Sequence, residues 1–134
     1  MTPIERYLGF LDDGDNDAAA AVFTEDAIYV RPRFQPAQEG QAPTFGGLVL
    51  VRGREAILES FRKRGKQSYR HVILATATAG SRCFVEMTLG DYGSGLESVA
   101  VAELEGSLIK RYVALAAPVD PATALELFPA GTSS

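Results

Sequence analysis

Few side chains in this sequence can move a proton at neutral pH. Among 134 residues there is one histidine, His71, and one cysteine, Cys83. Imidazole is the side chain that ordinarily titrates near neutrality, so His71 is the first candidate for general acid or base work. At the start of a strand it also suits a structural hydrogen bonder. Glu86 is the second candidate, because it interrupts the apolar run Phe84-Val85-Glu86-Met87-Thr88. Strand alternation puts it on one face with Phe84 and Thr88. If that face points inward, Glu86 is a proton carrier; if outward, it is a solvated or interface residue, and alternation alone does not choose.

Other polar clusters have plainer readings. Asp12, Asp13, Asp15 and Asp17 crowd a helix junction without the later Gly and Glu of an EF-hand loop, so capping and solvation account for them. Arg62, Lys63, Arg64 and Lys66 fall at a helix C-terminus, where cations complement the macrodipole, and read as a solvated face. A lone cysteine excludes an intrachain disulfide and any multi-cysteine zinc site, and Cys83 reads as buried and inert. No metal and no bound cofactor are expected.

The elements that position these groups follow from spacing. Thr2, Pro3 and Glu5 form a capping-box pattern, and Ile4, Tyr7, Leu8 and Leu11 recur at helical period, so a first helix ends near Gly14. A shorter helix is expected from Asn16 to about Thr24. Strand character begins at Ala27, with Pro32 expected to stop continuation in a central ladder and residues 32–47 forming an extended hairpin or loop that returns through 48–51. The spacing of Ile57, Leu58 and Phe61 predicts a third helix over 54–64 closed by Gly65. Beyond Ser68 four strands are predicted, near 69–79, 82–91, 96–105 and 107–116, joined as a meander. A short helical candidate at 121–128 lies in a tail of low apolar content.

Helices first and strands after make an α+β chain with one domain over 1–117 and a partly flexible extension over 118–134. With 46% apolar and 22% charged residues the composition is that of a globular domain. Thirteen Lys and Arg against 17 Asp and Glu leave a net charge of -4, which lacks the basic footprint of nucleic-acid binding. The acidic start and the absence of a spanning-length apolar run point away from a membrane and toward the cytoplasm.

Residues 6–15 (RYLGFLDDGD), 23–27 (FTEDA) and 51–57 (VRGREAI) resemble the nuclear transport factor 2-like superfamily, in its SnoaL-like and ketosteroid isomerase-like branch. The resemblance implies a cone: a strongly curved mixed sheet wrapped by three helices around an internal pocket, with an outer sheet face that commonly makes a dimer. It also implies that Tyr7 matches the first-helix tyrosine that donates to a developing oxyanion in the isomerases. Packing between helix and sheet is the plainer role for that residue. The two isomerase acids are missing, since the base position falls on Arg31 and the second acid near Ala100. Tyr29, Arg31 and Ala100 are therefore ligand-contacting candidates, and steroid isomerisation by that mechanism is not expected. Arg31 reads either as a pocket cation for an anionic group or as a hairpin residue whose head reaches water.

Two functions remain from different classes. One is a cofactor-independent acid/base enzyme of isomerase, cyclase, dehydratase or hydrolase type, acting on a small apolar oxygenated metabolite through Tyr7, His71 and Glu86. The other is a non-catalytic ligand-binding or dimerising accessory protein. A homodimer is expected because Val99 and Val101 place apolar surface on one sheet face.

Overall fold

The structure, a computed structural model, describes residues 1–35, 44–65, 70–89 and 96–118. Helix α1 spans Pro3–Asp12, and its first turn is closed as the sequence predicts. Thr2 Oγ1 accepts from the Glu5 amide at 3.2 Å, and Glu5 Oε1 accepts from the Thr2 amide at 3.0 Å. Gly14 turns the chain at φ 80°, and Asp15 caps α2, Asn16–Ala20, by accepting from the Ala18 amide. This helix stops short of the expected Thr24. Val22 and Phe23 already belong to the sheet edge: the Ile109 amide donates to the Val22 carbonyl at 2.8 Å, and Phe23 stands opposite Ile109.

Strand β1 spans Phe23–Gln35, longer than expected at both ends, and β2 spans Thr44–Arg52. Pro32 ends the central ladder, as expected, and β1 continues beyond it only against β2, as a hairpin. The ladder to β6 has its last register pair at Val30, so the missing amide falls beyond it, and the ladder to β2 absorbs the ring with a register shift between Pro32 and Phe34. Helix α3 spans Arg54–Arg64 as predicted, ending at Gly65 with φ 73°. Strands β3 (His71–Ala79), β4 (Arg82–Leu89), β5 (Leu96–Glu105) and β6 (Leu108–Pro118) form the predicted antiparallel meander. The tail beyond Pro118, with its helical candidate, lies outside the described residues.

The sheet order is β2-β1-β6-β5-β4-β3, and among the described residues β1 and β6 are the one parallel pair. The sheet is curved and open, as the cone expectation requires. Helix α1 packs on β3, β4 and β6, and α3 on β1 and β2, with α2 between the two helices. Alternation assigns the faces: Cys83, Val85 and Met87 are buried inward on β4, Ala100 and Ala102 on β5, Tyr112 and Ala114 on β6. Gln35, Thr44, His71, Leu89, Leu96 and Pro118 all end their strands at one edge of the structure, and that edge carries the candidate site. Among the described residues no helix is long and apolar enough to cross a membrane.

Candidate functional site

Asp12 is the group that the acid run concealed. It lies four residues after Leu8 and five after Tyr7, on the buried face of α1, and is only 8% exposed. Its carboxylate holds the first residue of β3 by two contacts: Oδ2 accepts from the His71 amide at 2.8 Å, and Oδ1 meets His71 Nδ1 at 2.7 Å. Next to it, Arg70 donates to Asp13 at 2.7 Å, so two successive residues of one segment fasten to two successive acids of the other. Asp13, Asp15 and Asp17 keep the surface and capping roles expected of the run; Asp17 pairs with Arg62 at 2.9 Å. Helical position was the signal that could have separated Asp12, because it falls on the stripe begun by Ile4 and Leu8.

An ionised carboxylate only accepts hydrogen bonds, so the contact fixes the proton of neutral His71 on Nδ1. The lone pair then resides on Nε2. A ring held at Nδ1 and at its backbone amide is fixed in orientation, with a carboxylate beside it.

Tyr7 and Tyr29 are each 1% exposed, and their hydroxyls meet at 2.7 Å. Tyr7 stacks on Phe61 with centroids 5.6 Å apart and meets Phe23 edge-on at 5.1 Å, while Tyr29 stacks on Tyr112 at 5.1 Å. Burial, then the neighbouring Tyr29 and Tyr112 phenols, hold Tyr7 well above the ordinary phenol range, with Arg64 opposing. Burial does the same to Tyr112. These two phenols therefore keep their protons at neutral pH. One proton of the Tyr7–Tyr29 pair is consumed between the two oxygens, so the pair has one O–H for a further acceptor. Arg64 corrects the solvated-face reading of its run, since its guanidinium lies over the Phe61 ring, 5.8 Å from the centroid.

Arg31 shares the inner face of β1 with Tyr29 and stands opposite Val49, half-buried, its Nη1 donating to the Pro32 carbonyl at 3.2 Å. Ala100 is fully buried on the inner face of β5, between Val85 and Ala114. Tyr29, Arg31 and Ala100 thus stand on the inner face, where Tyr7 of α1 meets Tyr29, and Asp12 and His71 lie at the strand-end edge. Glu86 is not among them. It is exposed on the outer face, so the outward branch of its reading applies. Cys83 is buried as expected, and burial pushes its thiol up. Among the described residues no group of three or more His, Cys, Asp or Glu side chains converges as metal ligands would. A cleft of about 520 Å³ lined by Glu25, Arg52, Gly53, Arg54, Glu55 and Ala56 lies at the opposite end of the sheet from His71.

A family model described as a SnoaL-like domain matches residues 4–128. No curated protein matches the chain. Among solved structures, a hypothetical protein with a ketosteroid isomerase-like fold from Catenulispora acidiphila, in complex with trimethylamine, aligns with TM-score 0.64 at 14% identity, over 94% of this chain and 92% of that one. A candidate polyketide cyclase from Sinorhizobium meliloti aligns with TM-score 0.59 at 19% identity, over 84% and 93%. An NTF2-like protein of unknown function from Cytophaga hutchinsonii aligns with TM-score 0.63 at 13% identity, over 87% and 88%. At such identities the structures speak for the fold alone, while the family model covers nearly the whole sequence: the chain belongs to the SnoaL-like family, with the nuclear transport factor 2-like fold.

Proposed function

We propose that this chain is a cofactor-independent acid/base enzyme acting on a small apolar oxygenated metabolite, with His71 as the proton-transferring group. The observation that carries the reading is the double contact of Asp12 with His71, which leaves Nε2 as the basic nitrogen. Asp12 is the orienting partner rather than the base. The Tyr7–Tyr29 pair supplies a neutral O–H for oxygen charge that develops on the substrate, and Arg31 favours a ligand carrying an anionic or enolate oxygen. Glu86, on the outer face, has no part in the chemistry. Isomerisation, cyclisation and dehydration all begin with removal of a proton next to a carbonyl, and that shared step is the reaction class assigned.

A second reading, a non-catalytic ligand-binding protein, draws support from the two phenols that satisfy one another inside the aromatic cluster and from Arg31 and Ala100 at the isomerase acid positions. Deuterium incorporation separates the two. Apolar ketones incubated with the protein in D2O and followed by NMR should exchange α-protons in the presence of wild type and lose that exchange with His71→Ala. Ligands that bind without any exchange, or exchange that survives His71→Ala, would favour the second reading.

A further inference from the structure

One polar group of the inner face stands outside the pairs described above. Tyr112 is 2% exposed, and among the described residues its hydroxyl has no hydrogen-bond partner. Burial holds that phenol above its ordinary range, so the group is a neutral O–H donor. A buried donor without an acceptor is costly to the fold, and phenylalanine would keep the ring stack without that cost. The neighbouring side chains leave a way in. Two residues further along the same face of β6 stands Ala114, with Ala100 opposite it on β5. Two further stands Ala116 opposite Ser98, where the face passes from buried to half-buried on the way to the strand-end edge.

Tyr112 stands beside Tyr29 across the β1–β6 ladder. Register-paired residues of neighbouring strands leave the sheet on one side, and these two rings lie 10° from parallel with centroids 5.1 Å apart. Their hydroxyls therefore stand side by side, about 5 Å apart at the spacing of neighbouring strands. That is too far for a bond between them. A ligand oxygen midway accepts from both at about 2.7 Å, the length of a good O–H···O bond. The third phenol takes a different place. Tyr7 meets Tyr29 at 2.7 Å, and besides burial and the neighbouring phenols this bond itself raises Tyr7, as a bond in which Tyr7 donates does. Tyr29 then accepts from Tyr7 and keeps its own proton for a ligand.

We infer that Tyr112 is a ligand-binding residue: its hydroxyl and that of Tyr29 receive one ligand oxygen between them, and Tyr7 stands behind Tyr29 as the residue that positions its proton. Two neutral donors on one oxygen favour an oxygen that carries charge, so the group bound is an enolate or phenolate oxygen, or a carbonyl becoming one. The short side chains of Ala100 and Ala114 beside the donors admit a flat apolar body attached to that oxygen. Tyr29 and Tyr112 thereby take the oxygen that the proposed function gives to the Tyr7–Tyr29 pair, an assignment that rests on that reading for the oxygenated character of the ligand.

Binding of 4-nitrophenol to the full chain near neutral pH, followed by its visible absorbance, tests the assignment, with 4-nitrotoluene in calorimetry as the probe that lacks the oxygen. The wild type should bind the phenolate and favour its ionised form. Tyr112→Phe and Tyr29→Phe should each weaken the phenolate at least about tenfold, shift the bound probe toward its neutral form and leave 4-nitrotoluene within about twofold. Tyr7→Phe should move the ionisation of the bound probe in the same direction with a smaller loss, about threefold. Because Tyr112→Phe removes an unmatched hydroxyl, its melting temperature should equal or exceed that of the wild type, which separates loss of binding from loss of fold. A wild type that fails to bind the phenolate at about 10 mM, a Tyr112→Phe variant that binds it as the wild type does, a loss shared equally by 4-nitrotoluene, or an effect of Tyr7→Phe larger than the other two would overturn the inference. Binding is read here and not proton exchange, so a failure is distinct from failure of the exchange assigned to His71.

Discussion

The two faces of the sheet solve the same problem differently, and β4 displays both within five residues. Inward, Cys83, Val85 and Met87 are buried against α1; outward, Phe84 is half-buried and Glu86 exposed. Polar groups of the inner region, Tyr112 apart, are matched inside the chain: Tyr7 with Tyr29, and Asp12 with His71. On the outer face Leu50, Val99 and Leu115 stay exposed, and two carboxyls, Glu86 and Glu97, stand side by side. The lesson is that composition along a strand does not reveal which face does chemistry. Partner geometry does, since a buried polar group needs a partner within the fold and an exposed one does not.

The largest effect expected from breaking the inner face is loss of Phe61, which is fully buried and stacked on Tyr7. Phe61→Ala should cost about 3 to 5 kcal/mol in denaturant unfolding. Next is Asp12→Ala, which removes both contacts to the β3 start and should cost about 1 to 3 kcal/mol, with faster amide exchange at His71 as the local readout. Tyr7→Phe leaves the buried Tyr29 hydroxyl without its oxygen partner and should cost about 1 to 2 kcal/mol in the same unfolding measurement.

The smallest effect belongs to the outer face. Because the protonated form of Glu97 is favoured in the fold, the folded chain binds more protons than the unfolded one between the ordinary glutamate range and about 7. Stability from this group is therefore full at low pH and falls as pH rises toward 7. Glu97→Gln should raise the melting temperature at pH 8 and leave it unchanged at pH 4, an effect kept small by solvent screening. Equal shifts at both values would contradict the carboxyl pair.

Much of the scaffold was legible in the sequence, for reasons that lie in short-range rules. The capping box of α1, the exact span of α3 and the β-meander depend on local spacing and turn residues. Where long-range pairing competes with local signals, the sequence misled: α2 is cut short because Phe23 pairs with Ile109, whereas Pro32 marks, as expected, the end of the central ladder, since β6 has finished pairing by Val30. The candidate site was half legible. His71, Tyr7, Tyr29, Arg31 and Ala100 could be named from type and resemblance, but Asp12 was hidden among four acids whose roles differ only in helical phase. Glu86 could not be assigned, because alternation pairs residues on a face without saying which face is covered.

The action of Asp12 on His71, placing the ring proton on Nδ1 and the lone pair on Nε2, can be measured without knowing the substrate. Nitrogen-15 NMR of the His71 ring, recorded where the imidazole is neutral, reads the tautomer directly. The wild type should show a protonated Nδ1 and a pyridine-like Nε2, with that preference lost in Asp12→Ala. A wild-type ring protonated on Nε2, with its lone pair on Nδ1 facing the carboxylate, would contradict it.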